Sequence, residues 1–216
     1  SVALVSVCCL LFIGAVDLWS VTMFTLATIF SSVAICFLIG LPIGIVTACS
    51  DAVEAVVRPI LDGMQTMPAF VYLIPVLMFF GANVVSAVIA TIIYAVPPLI
   101  RLVNLGIREV SSESLEAADA FGSTFWQTLF KVKLPLALPS IMLGINQAVI
   151  YGVAMTVLTP LIGGGGLGME VFNALSLVDT GRGFEAGLSI VFIAVVMDRI
   201  TQAWSRQRQV AVGLQS

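Results

Sequence analysis

Long apolar runs recur along this 216-residue chain, at a length that leaves few folds open to it. Six segments, about 2–17, 21–48, 67–82, 84–103, 136–161 and 185–204, read as such runs. A stretch of about 17–25 apolar residues matches a bilayer core roughly 30 Å thick. Hydrophobic residues make up 60% of the chain and mean hydropathy is +1.13, more apolar surface than a soluble domain of this size can bury. Inside hydrocarbon every backbone polar group needs an internal partner, so the runs are expected as helices. The expected class is an all-α membrane protein with about six transmembrane helices, forming a single domain over 1–216. The chain opens on Ser1 rather than Met, as a fragment lacking its start or a processed chain would. No signal-peptide n-region precedes the first run, so membrane residence is expected rather than secretion.

Lys and Arg set the orientation. With the N-terminus inside, Arg58, Arg101, Arg108, Lys131, Lys133, Arg199, Arg206 and Arg208 fall on the cytoplasmic side, and Arg182 alone on the outer side. The net charge of −3 does not oppose this, because acids contribute little to the rule.

Two runs carry small residues four apart: Gly40, Gly44 and Ala48, then Gly144, Ala148 and Gly152. Such ladders let helix backbones approach closely, and packing within the chain is the first expectation, dimerisation the second. Pro42 is expected to bend its helix. Residues 50–66 mix apolar positions with Asp51, Glu54, Arg58 and Asp62, which suits a helix at the inner interface interrupted at Pro59; a solvated connector is the alternative. Cys8, Cys9, Cys36 and Cys49 show no metal spacing and read as small buried hydrophobes.

Only 10% of residues are charged, so the polar island Glu116–Pro135, EAADAFGSTFWQTLFKVKLP, stands out. Ser111 or Ser112 can cap a helix opening with Glu113 and Glu116. Gly122 suits a left-handed stop, where a Cβ would be strained. Thr124 and Gln127 can then form a capping box for a second helix reaching Pro135. The pattern predicts a rigid knob on the cytoplasmic face, within a loop of about 104–135; an ordinary solvated loop is the alternative.

Glu116-Ala117-Ala118, then Gly122, then Val132, Leu134 and Pro135 resemble the EAA–G–I–LP signature of permease subunits of binding-protein-dependent ABC importers. Val132 replaces the usual Ile. Segments 62–80, 92–109, 161–168 and 183–203 are similar to glycine betaine/proline-type permeases, so the likeness runs from about residue 19 to 204. Thr159-Pro160 depart from it, standing where small or apolar residues are commoner. The resemblance implies a type I importer permease fold of the MetI-like kind in a bacterial inner membrane. It implies that Glu116, Ala117, Ala118, Gly122, Leu134 and Pro135 form the coupling element that docks in a groove of a cytoplasmic ATPase subunit. It implies further partners: an extracytoplasmic substrate-binding protein and a second permease copy, as a homodimer. The implied cargo is a quaternary amine such as glycine betaine, proline betaine, choline or carnitine.

Chemistry of other kinds finds little support. No G-x-x-x-x-G-K-[ST] is present, so this chain is expected to bind no cofactor, with ATP and Mg on the partner subunit. The glycine-rich run Gly163–Gly168 lacks Lys and is expected as a flexible outer loop or gate. With no His, no His/Cys cluster and no Ser beside a base, neither catalysis nor a metal site is expected, and nothing points to nucleic acid. Asp198 and Arg199 near the inner end of the last run are expected to snorkel or pair with each other. Asp17 and Glu185 lie at outer ends, so no mid-membrane carboxylate relay is expected. A quaternary amine needs no buried acid, because aromatic faces attract it. Candidates for its pathway are Asn146, Gln147, Tyr151, Met155 and Thr156, with Phe70, Tyr72 and Tyr94 as further aromatics. The rivals are an ABC permease for another small solute such as methionine, an ion-coupled secondary transporter, and a membrane enzyme.

Overall fold

The structure, a computed structural model, describes residues 2–211 and the side chains of 5–204. Arg206 and Arg208, counted in the charge asymmetry, lie outside the described side chains. All regular structure among the described residues is helical. In order come α1 (Val2–Ala15), α2 (Trp19–Cys49), α3 (Asp51–Thr66), α4 (Phe70–Phe80) and α5 (Val84–Arg108). Then come α6 (Ser112–Ala120), α7 (Phe125–Thr128), α8 (Leu134–Leu136), α9 (Leu138–Thr156), α10 (Leu167–Leu177) and α11 (Thr180–Ala211).

Each expected apolar run lies on helix, but the helices differ in reach. Among the described residues α2, α5 and α9 are long and apolar enough to cross a membrane. A fourth crossing exists if α3 and α4, bent by 100° at a short break, count as one span. The 67–82 run is corrected accordingly: α4 has 11 residues, about 16 Å of helix, and cannot cross alone. The interface helix is corrected too. Pro59 does not interrupt α3, which runs unbroken through it, and α2 likewise runs through Pro42. Ser50 supplies the start of α3, its side chain accepting from the Val53 N–H at 3.5 Å. Only Leu61 of α3 is buried.

The core is built around α5. On one side it meets α2, where a Cβ on Gly40 would lie 2.9 Å from Leu99 Cδ2 and one on Gly44 2.6 Å from Val103 Cβ. On the other it meets α9, where a Cβ on Gly144 would lie 2.9 Å from Leu99 Cδ1. The fully buried Leu99 side chain therefore sits in two notches at once. Numbers rise together along α2 and α5, so these helices run parallel. They run oppositely along α5 and α9, where Gly106 abuts Ser140 and Gly152 lies near Thr91. Both glycine ladders are thus used for packing within the chain.

Two of the four cysteines depart from expectation. Cys9 and Cys36 are buried, but Cys8 and Cys49 are exposed.

Candidate functional site

The island folds as a knob with its turn closed by backbone bonds. Ser111 takes the N-cap position of α6, and Glu113 lies in the first turn. Past the other end, Gly122 adopts φ +73°. The Gly122 N–H donates to the Asp119 carbonyl at 2.9 Å and the Ser123 N–H to the Ala118 carbonyl at 3.1 Å. These two bonds are the Schellman closure, which requires a left-handed residue between them. Gln127 Oε1 accepts from the Thr124 N–H at 2.8 Å, the return arm of a capping box. Beyond α7 the backbone widens into a π-helix over Leu129–Lys133 before α8, a feature no sequence pattern announced. Such bulges concentrate at functional positions.

Of the coupling residues expected from sequence, Glu116, Ala117 and Gly122 are exposed, Ala118 is buried, and Leu134 and Pro135 are half-buried. Leu134 packs against the main core, so the knob is joined rigidly to the helices that cross the membrane. Four large aromatics crown it. Phe121 is 90% exposed, and Phe125, Trp126 and Phe130 are exposed too. Trp126 lies edge-on to Phe125 at 5.3 Å and stacks on Phe130 at 5.9 Å. Sequence reasoning passed over this strip. Its signal was four aromatic rings inside a polar segment between apolar runs.

Three of the arginines expected inside, Arg58, Arg101 and Arg108, gather at one end of the bundle. Arg108 pairs with Asp51 at 2.8 Å and Glu54 at 2.9 Å, and Arg101 pairs with Asp62. These ion pairs tie α3 to α5 beside a cavity of about 290 Å³ that Arg58 also lines. At the other end Arg182 pairs with Glu170 at 3.2 Å and lies 3.8 Å from Glu185.

The glycine-rich run is corrected from a flexible loop to a packed one. A Cβ on Gly163 would lie 2.6 Å from the Asn83 backbone, and one on Gly164 2.8 Å from the Thr159 carbonyl oxygen. The Leu167 N–H donates to the buried Thr25 hydroxyl at 2.8 Å, pinning the run to α2. A cavity of about 350 Å³ opens beside it, lined by Phe24, Gly165, Gly166 and Glu170 among others.

The pathway residues divide. Asn146 is buried and donates from Nδ2 to Asp198 Oδ1 at 3.0 Å, while Thr201 donates to its Oδ1. It therefore joins α9 to α11. Asp198 also accepts from Gln202 Nε2 at 2.8 Å, so these amides, rather than an ion pair with Arg199, account for it. Met155 is fully buried in a small cluster with Leu73, Val76, Ala90 and Ile162. The Thr156 hydroxyl donates to its own helix at Gly152. Gln147 and Tyr151 remain half-buried on one face of α9. Tyr151 lies 5.1 Å from Tyr94 of α5, which lies 6.3 Å from Tyr72 of α4. Phe70 is exposed and outside this group.

Comparison with known proteins puts a family beside this geometry. Residues 40–209 match the family model described as "Binding-protein-dependent transport system inner membrane component". The chain is 48% identical over 198 residues to a glycine betaine/carnitine transport permease protein of Listeria monocytogenes, spanning 92% of this chain and 70% of that one. It is 46% identical over 197 residues to the glycine betaine/proline betaine transport system permease protein of Escherichia coli, spanning 91% of this chain and 56% of that one. Among solved structures, an inward-facing methionine ABC transporter superposes with a TM-score of 0.79 at 22% identity, covering 86% of this chain and 93% of that one. At that identity the last likeness speaks for the fold alone.

Proposed function

The chain belongs to the family of binding-protein-dependent transport system inner membrane components, and from that premise we propose that it passes a quaternary amine of the glycine betaine type. It is a permease subunit of an ABC importer, resident in the inner membrane, and ATP is hydrolysed on a separate subunit. A substrate-binding protein and an ATPase are its partners by virtue of the family. The cargo assignment draws on the relatives named above, permeases for glycine betaine, carnitine and proline betaine. Methionine transport draws on a likeness of fold only. An ion-coupled mechanism draws on nothing comparable.

One observation carries the coupling role: the Gly122 turn, closed on both sides by hydrogen bonds, fixes an exposed knob against the core through Leu134. Such a knob transmits a push without deforming. In this reading Glu116, Ala117 and Gly122 meet the ATPase groove, and Phe121, Phe125 and Trp126 add apolar contact to it. Ala118 closes the turn from within, and Leu134 and Pro135 carry the displacement to α9. ATP and Mg sit on the ATPase. Two permease copies enclose the path, and closure of the ATPases moves their knobs and turns the cavity outward. The binding protein delivers cargo at the face carrying residues 161–183.

The test is uptake of labelled glycine betaine by the complete importer in liposomes. Uptake is expected to require ATP and to ignore imposed proton or sodium gradients. Gradient-driven uptake without ATP would contradict the reading.

A further inference from the structure

We propose that Tyr94 and Tyr151, with Tyr72 behind them and Gln147 one turn away, form the surface in the passage that holds the quaternary ammonium head during transfer. This rests on the quaternary-amine reading above and names the site for it.

The chain contains 3 tyrosines, and the fold brings all of them together from three helices: Tyr72 on α4, Tyr94 on α5 and Tyr151 on α9. Tyrosines in membrane proteins gather at the two interfaces, where the ring meets lipid and the hydroxyl meets water. These do not. Tyr94 lies about 15 Å along a helix of roughly 38 Å, far from either end. The Tyr72 hydroxyl is satisfied within the chain, donating to the Met64 carbonyl. The Tyr94 and Tyr151 hydroxyls and the Gln147 amide take no partner among the described residues, and all three side chains are half-buried. Bare amides and hydroxyls facing hydrocarbon are costly, so this face belongs against a wet passage rather than lipid.

The chemistry suits a cation that cannot donate hydrogen bonds. A trimethylammonium group is drawn to the negative faces of aromatic rings, and most strongly where water is excluded. Ring centroids 5.1 Å apart at an interplanar angle of 56° place the Tyr94 and Tyr151 rings as two adjoining walls rather than a closed stack. No carboxylate is needed beside them. Two walls instead of a full cage also fit a transfer site, which must let its cargo go.

The experiment uses the complete importer in liposomes with saturating binding protein and labelled glycine betaine. Tyr94→Phe and Tyr151→Phe keep the ring and are expected within about twofold of wild type. Tyr94→Leu and Tyr151→Leu remove it and should cut the uptake rate about tenfold, the scale of one desolvated cation–π contact. A graded series, Tyr151→Phe followed by mono-, di- and trifluorinated phenylalanine at the same position, changes ring electrostatics with little change in shape. Log uptake rate is expected to fall steadily with fluorine count. A flat series beside normal wild-type uptake would overturn the site and leave the cargo reading standing. Failure of the wild-type importer to take up glycine betaine with ATP would overturn both.

Discussion

Asn146 Nδ2 donates to Asp198 Oδ1 at 3.0 Å, joining α9 to α11 through a buried amide and a half-buried carboxylate. With Thr201 and Gln202 the pair forms a polar clasp in an otherwise apolar seam. Asn146→Leu is expected to destabilise the permease by about 1–2 kcal/mol, since Asp198 loses one of its two amide donors. Asp198→Asn keeps one acceptor oxygen, at the position that receives both amides, gives up the second, and should cost less. Thermal unfolding of the purified protein, arranged as a double-mutant cycle on Asn146 and Asp198, measures the coupling; hydrogen-bond couplings between membrane helices average about 0.6 kcal/mol.

Gly44 is expected to be the least replaceable residue of its ladder. An alanine Cβ there would meet Val103 Cβ at 2.6 Å and the Ile100 carbonyl oxygen at 3.1 Å. Neither atom is the free end of a flexible side chain, so α2 and α5 must part. A cost of about 1–3 kcal/mol follows from overpacking of this kind. Gly187→Ala is the control, with nothing within 4 Å of the added Cβ, and should be silent. Yield and melting temperature of the two variants in detergent provide the comparison.

At Gly122 the constraint is conformational instead of steric. Nothing lies within 4 Å of an added Cβ, yet φ is +73°. Gly122→Asn should be nearly tolerated, because asparagine visits the left-handed region, and Gly122→Ala should cost about 1–2 kcal/mol. Gly122→Pro cannot adopt the angle and should abolish ATPase association. The order glycine, asparagine, alanine, proline, read by co-purification of the ATPase, is what a turn-geometry requirement predicts.

Trp126 offers the opposite case. Its ring is 64% exposed, so Trp126→Ala should leave the permease's own melting temperature unchanged. If the aromatic strip meets the ATPase, the same change should weaken its binding about tenfold or more, since buried aromatics dominate interface energies. Titration of the purified ATPase against permease in nanodiscs reads this directly.

What the sequence made legible was local. The Schellman turn at Gly122 and the Gln127 bond to Thr124 follow from residue chemistry over a few positions, and the apolar runs follow from composition. Relations between distant segments were not legible. Leu99 fills notches at Gly40 and Gly144 only because α5 passes between α2 and α9, and no spacing rule states that. Asn146 read as a pathway residue because a bare amide in lipid is costly, and its partner Asp198 lay 52 positions away. The run 67–82 looked continuous because α4 is apolar, yet the chain turns by 100° just before it. Gly163–Gly168 looked loose because glycine permits freedom, whereas here its missing side chains let the run press against Asn83, Thr159 and α2.

The central claim is that the Glu116–Pro135 knob is where the motor grips this chain. Gly122→Pro and Glu116→Lys, expressed with the ATPase and binding protein, test it by co-purification of the ATPase with membrane-inserted permease. Both variants are expected to insert normally, to lose the ATPase and to abolish uptake. Normal ATPase association in both would contradict the account.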